Sequence, residues 1–149
     1  MRTRSTRAKR PRSSVAVQRA VRGAPSVRRL RGWALAAARA GSEITLRVVG
    51  AAEARRLNRA FRRRDYATNV LSFAYARRAG DVVLCHPVIA REARAQGKTL
   101  AAHYAHLVVH GVLHLHGLDH VRVGDAERME RAEIRILRRF GVADPYAVK

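Results

Sequence analysis

Residues 99–116 hold the feature that most restricts how this chain can fold: a long, mostly apolar run, TLAAHYAHLVVHGVLHLH. Its length and apolar content read as one helix that has to be buried. By the 3.6-residue period His103, His106, His110 and His114 fall within one narrow sector of that helix. A buried helix with imidazoles on one side requires partners to cover it, and the rest of the chain supplies them.

Val15–Val17 is a short strand candidate, followed by a break at Gly23-Ala24-Pro25-Ser26. Ser26 is placed to cap a helix over Val27–Ala40, with Leu30, Trp33 and Ala37 at helical spacing and Gly41 as its stop. Ile44–Val49 alternates as a half-buried strand and ends at Gly50. A helix over Ala51–Arg63 carries Leu57 and Phe61 on one face. Asn69–Ala76 and Asp81–Cys85 are strands close enough to be neighbours. Helices are predicted over Pro87–Gln96 and Asp125–Phe140, the latter closed by Gly141. There are no repeats and no second domain. The mixed order predicts an α+β fold, a small mixed sheet packed with helices, in a single domain over residues 13–149.

The formal net charge is +20 and unevenly placed. Twelve basic residues and no acidic one precede Glu43, whereas residues 43–149 hold nineteen basic and eleven acidic side chains. Even the body of the chain suits a polyanion such as RNA. Part of the excess is compositional, since arginine and alanine abound and only Lys9, Lys98 and Lys149 are lysine. Met1–Arg12 reads as a disordered basic arm. Organelle transit peptides share such an acid-free start, but the folded pattern begins at Ser13. Cys85 is the single cysteine, and in the apolar run Val82–Cys85 it reads as a buried structural thiol. The lack of a possible internal disulfide favours a reducing, cytoplasmic setting. No stretch reaches the roughly 20 apolar residues of a membrane span.

The run His110-Gly111-Val112-Leu113-His114-Leu115-His116-Gly117-Leu118-Asp119-His120 concentrates the chemistry. His110 and His114 lie one turn apart on one helix face. Gly117 sits where a left-handed cap would stop that helix, so the chain can return His120 to the same point. Three imidazoles with an open fourth position describe a catalytic zinc site, one Zn2+ per chain, on a zincin-like helix. Metzincin proteases share the spacing of the histidines and the glycine. They require Glu directly after the first His as general base, and here that residue is Gly111. A hydrolase that is not a protease follows. Asp119 suits either a hydrogen bond that fixes an imidazole tautomer or a turn. His106 is expected as a packed residue or one supporting a ligand, and His103 and His116 at the surface.

Arg62, Arg63 and Arg64 join a predicted helix to a predicted strand. Their forked donors suit phosphate, and a solvated patch is the competing reading.

Taken together, these segments resemble the YbeY family of metal-dependent endoribonucleases. The likeness rests on His110–His120, on the stretch from Arg62 to Phe73 with Thr68-Asn69-Val70-Leu71-Ser72-Phe73 at its end, and on Gly80-Asp81-Val82-Val83-Leu84. Met129-Glu130 and the closing run Gly141–Tyr146 extend it, so it covers about Ser13–Tyr146. Departures include Leu118 for a usual Tyr, Ala67 for a frequent Pro and His116 for an apolar residue. The resemblance implies zinc on His110, His114 and His120, and Arg62 as the catalytic, phosphate-facing residue. Arg63, Arg64 and Ser72 would be substrate contacts. It also implies a single-strand-specific endoribonuclease acting in ribosomal RNA maturation, at the small-subunit 3′ end, and in ribosome quality control. RNA and the ribosome or its proteins would be the partners.

The general base stays open among a phosphate oxygen, Asp119 and metal-bound hydroxide. Two other functions fit the same residues: a zinc hydrolase of a different substrate, and a non-catalytic ribosome-assembly factor with a structural metal.

Overall fold

A computed structural model describes residues 11–117 and 124–147. Its strands are β1 (Ser14–Arg19), β2 (Glu43–Val49), β3 (Val70–Ala76) and β4 (Ala79–Cys85). Its helices are α1 (Val27–Ala37), α2 (Ala51–Arg62), α3 (His86–Gln96), α4 (Leu100–Leu115) and α5 (Asp125–Arg138). The predicted elements form within a few residues of their expected bounds, and their local chemistry explains why. Ser26 caps α1 by accepting from the Arg29 amide at 3.2 Å, and Thr99 caps α4 by accepting from Ala102 at 3.0 Å. Pro87 opens α3, and Gly97 closes it in the left-handed region at φ +66°.

The strands make one sheet in the order β1-β2-β4-β3, with β1, β2 and β4 parallel and β3 antiparallel to β4. This is the α+β arrangement expected. Central β4 is buried on both faces. Val82 and Leu84 point into the larger core with α1, α4 and α5, while Val83 and Cys85 join a smaller one with Ala54 and Val88. That alternation is the two-residue period of a strand covered on both sides. Cys85 is buried, as its apolar run predicts, and burial pushes its thiol pKa up. Among the described residues no helix is long and apolar enough to cross a membrane.

Helix α4 lies against the sheet with Tyr104, Val108, Val109 and Val112 fully buried. Gly111 sets how close it comes. A Cβ there would stand 2.7 Å from Val82 Cγ1 and 3.3 Å from Ser72 Oγ, and the Ser72 hydroxyl donates to the Gly111 carbonyl at 3.0 Å. The absence of a protease-type Glu thus has a packing cause, because any side chain at this position would press into β3 and β4.

Candidate metal centre and phosphate cleft

The C-terminal half of α4 brings two expected ligands together. The rings of His110 and His114 stack with centroids 6.3 Å apart and an interplanar angle of 19°. Both line a cleft of about 270 Å³ whose other walls include Arg62, Arg64, Tyr66 and Ser72. Gly117 adopts the expected left-handed conformation at φ +80°. The third expected ligand, His120, and its neighbour Asp119 lie outside the described residues.

The three arginines separate by position. Arg62 ends α2, donates from Nη2 to the Ser72 carbonyl at 2.8 Å and lies 5.9 Å from the Phe73 ring centroid. These contacts aim the guanidinium along the cleft wall. Arg63 caps α2 in the left-handed region at φ +56° and is exposed. Arg64 lines the cleft, with Nη1 3.4 Å from the Tyr66 hydroxyl. The turn that spreads them is held by Asn58, which is buried; its side chain donates to Tyr66 O at 2.9 Å and its carbonyl accepts from the Arg64 amide at 3.3 Å. In the sequence Asn58 is indistinguishable from any other polar residue on an amphipathic helix. Ser72 also borders the cleft, but its hydroxyl is engaged by Gly111 and its carbonyl by Arg62.

A second residue missed from sequence lies behind His110. Glu133 on α5 is fully buried, with Oε1 accepting from His110 Nδ1 at 2.5 Å and Oε2 from His106 Nε2 at 3.1 Å. The Tyr146 hydroxyl donates to the same Oε2. Burial pushes the Glu133 carboxyl pKa up, but the hydrogen bonds from His106, His110 and Tyr146 outweigh it and bring it down to about 2. Burial also raises the Tyr146 hydroxyl pKa, and its bond to Glu133 raises it further. A legible signal existed: Met129, Ala132, Glu133, Ile136 and Leu137 occupy the apolar face of α5, so Glu133 is a charge at a core position.

His106, His110 and Glu133 bring possible ligand atoms within 4.8 Å of one another, close enough to hold a cation. His110 and His114 both border the cleft on its α4 side. Glu133 occupies His110 Nδ1, which leaves Nε2 as the nitrogen free to act as a ligand.

Two expectations about the remaining histidines are corrected. His103 is 3% exposed, not at the surface; its Nε2 pairs with Glu92 Oε1 at 3.0 Å, and its Nδ1 is buried without a partner. Burial lowers its pKa, with the Glu92 hydrogen bond pulling the other way. His116 is half-buried and accepts from the Arg39 amide at 3.1 Å, tying the end of α4 to the end of α1. Both are drawn inward by long-range packing that the helical period does not report. His86 likewise has a partner, the buried Tyr104 hydroxyl at 2.6 Å.

A family model described as Endoribonuclease YbeY matches residues 18–141. The chain is 54% identical over 144 residues to an Endoribonuclease YbeY of Aromatoleum aromaticum, covering 91% of this chain and 94% of that one. It is 55% identical over 127 residues to that of Thiobacillus denitrificans, covering 82% and 86%. The solution structure of TM1509 from Thermotoga maritima superposes with a TM-score of 0.56 at 18% identity, over 91% of this chain and 100% of that one. That likeness concerns the fold alone.

Proposed function

The chain belongs to the YbeY family of endoribonucleases, and on that premise we propose that it is a zinc-dependent hydrolase of single-stranded RNA, with the metal on His110, His114 and His120. The observation that carries this reading is the make-up of the cleft. Arg62 and Arg64 share it with His110 and His114, and the described residues that line it include no carboxylate. A cationic cleft without acids favours a phosphodiester over a neutral ester or amide.

When bound, the metal would supply a Lewis acid and a water pKa lowered to ~7. The chain's own residues do the rest. Arg62, held against Ser72 and Phe73, neutralises charge that develops on the phosphoryl oxygens as the P–O bond breaks. Arg64 contacts the RNA backbone within the cleft, with Ser72 beside it, and exposed Arg63 contacts it from the rim. Gly111 excludes a base at the position proteases use, because that position faces the sheet. Family membership and the basic body of the chain support ribosomal RNA as the substrate, with maturation of the small-subunit 3′ end and ribosome quality control as the roles. The ribosome or its proteins are then the partners, and the cytoplasm the site of action.

Elemental analysis of the purified chain tests the assignment. About one zinc per chain is expected, with strong loss in His110→Ala, His114→Ala and His120→Ala and parallel loss of cleavage of an unstructured RNA. Full zinc retention in all three variants would sink it.

A further inference from the structure

His110 takes its orientation from a different helix. Glu133 contributes one oxygen to His110 Nδ1, while its other oxygen is shared by His106 Nε2 and the Tyr146 hydroxyl. We propose that Glu133 is a positioning residue for the metal centre: it keeps the His110 proton on Nδ1, presents the Nε2 lone pair to the cleft, and is itself held by His106 and Tyr146. The C-terminal segment would thereby be part of the site. This inference rests on the reading of His110 as a ligand.

Three features carry it. Glu133 is fully buried among Met129, Ala132, Ile136 and Leu137, where an apolar side chain would serve packing better. A buried carboxylate is costly unless its oxygens are satisfied, and here they meet three donors. A carboxylate of this kind can only accept, so the 2.5 Å contact places a proton on His110 Nδ1. A ligating imidazole needs this condition, and hydrogen bonding of its distal nitrogen to a carboxylate also raises its basicity toward the metal.

Glu133 also distinguishes neighbouring histidines. It takes Nδ1 of His110 but Nε2 of His106, so the two rings are left with opposite nitrogens. The one left on His106, Nδ1, is buried without a partner, and His106 does not line the cleft. Tyr146 completes the support. Its ring meets His106 edge-on at 5.4 Å and 85°, and its amide donates to Asp144 Oδ1 at 2.8 Å, which fixes the turn that delivers the hydroxyl. A tail residue about 40% exposed therefore reaches a carboxylate in the core.

The test uses the 15N-labelled full chain, in long-range 1H–15N spectra before and after one equivalent of zinc. His110 is expected as the Nδ1–H tautomer, with zinc shifting Nε2 and leaving Nδ1 protonated. Chelator competition then gives zinc affinity, which should fall about 10- to 100-fold in Glu133→Gln. Tyr146→Phe, a milder change that spares the core, should weaken it roughly two- to fivefold. Circular dichroism of both zinc-free variants should match the wild type. An Nε2–H tautomer in the wild type, zinc on His110 Nδ1, or wild-type affinity in Glu133→Gln would each overturn the inference while leaving His110 a ligand. Zinc uptake that is absent, or unchanged by His110→Ala, would instead overturn the metal centre and this inference with it.

Discussion

Two of the histidine–carboxylate pairs on helix α4, those of His103 and His110, differ in what their second nitrogen meets. His103 pairs with Glu92 at 3.0 Å, and Glu92 also accepts from Asn69 Nδ2 at 3.0 Å, just before β3. The free nitrogen of His103 ends in the core. His110 pairs with Glu133 at 2.5 Å, while its side chain stays 30% exposed on the arginine-lined cleft. Residue types and helix are the same in both, but His103 engages Glu92 through Nε2 and His110 engages the buried Glu133 through Nδ1. The first pair ties helices to the strand that carries Ser72, and the second, as proposed, prepares a nitrogen for a metal. On the proposed metal reading, position relative to a cleft, and not the presence of a carboxylate, separates a supporting histidine from a ligating one.

The largest expected difference follows from truncating the histidine of each pair in turn. His110→Ala should lower RNA cleavage by ~10³-fold or more, since loss of the metal removes several kcal/mol of transition-state stabilisation. His103→Ala should keep zinc and most activity yet cost about 1–3 kcal/mol of stability, as a buried side chain and its hydrogen bond are lost; urea unfolding and cleavage rates on the same preparations separate the two. Equal loss of zinc in both would erase the distinction.

Next in size is Arg62→Ala, expected to lower cleavage by ~10²-fold with zinc content unchanged. Arg62→Lys should restore little, because a point charge lacks the planar fork. Arg63→Ala and Arg64→Ala should cost only a few-fold, mainly in affinity. If all three arginines contribute equally, the cleft is a general electrostatic patch.

A smaller effect concerns pH. Burial, partly offset by Glu92, holds the folded-state pKa of His103 below its ordinary 6.5. The unfolded chain therefore binds the proton first, so this contribution is intact above 6.5 and is lost as pH falls through the folded value. Unfolding curves across pH 7.5 to 5 should show falling stability, with a shallower slope in His103→Gln. An unchanged slope would assign the effect elsewhere, to His86 or His116, whose pKa values burial also lowers. Smallest of all, deletion of residues 1–12 should leave zinc and melting temperature unchanged while flattening the salt dependence of RNA affinity.

Most of the fold could be read from local sequence. Capping by Ser26, the alternation of Ile44–Val49 and the glycine at 117 are short-range signals, and the elements formed near their expected bounds, although α1 ends at Ala37, short of Gly41. The helical period places His110 and His114 on one face, whereas only the family pattern points to Arg62 and Ser72, which line the same cleft. What escaped depends on helix packing between distant segments. Glu133 meets His110 only because α5 lies on α4, 23 residues away in sequence. His116 meets Arg39 across 77 residues. Gly111 read as a missing base, whereas its cause is the closeness of Val82 and Ser72.

The most direct test of the central claim is cleavage of an unstructured RNA by chain stripped of metal and then titrated with zinc, for the wild type and His114→Ala. The wild type should lose activity on stripping and regain it by about one equivalent of zinc, while His114→Ala should remain inactive throughout. Undiminished cleavage by the stripped wild type, or by His114→Ala, would contradict the account.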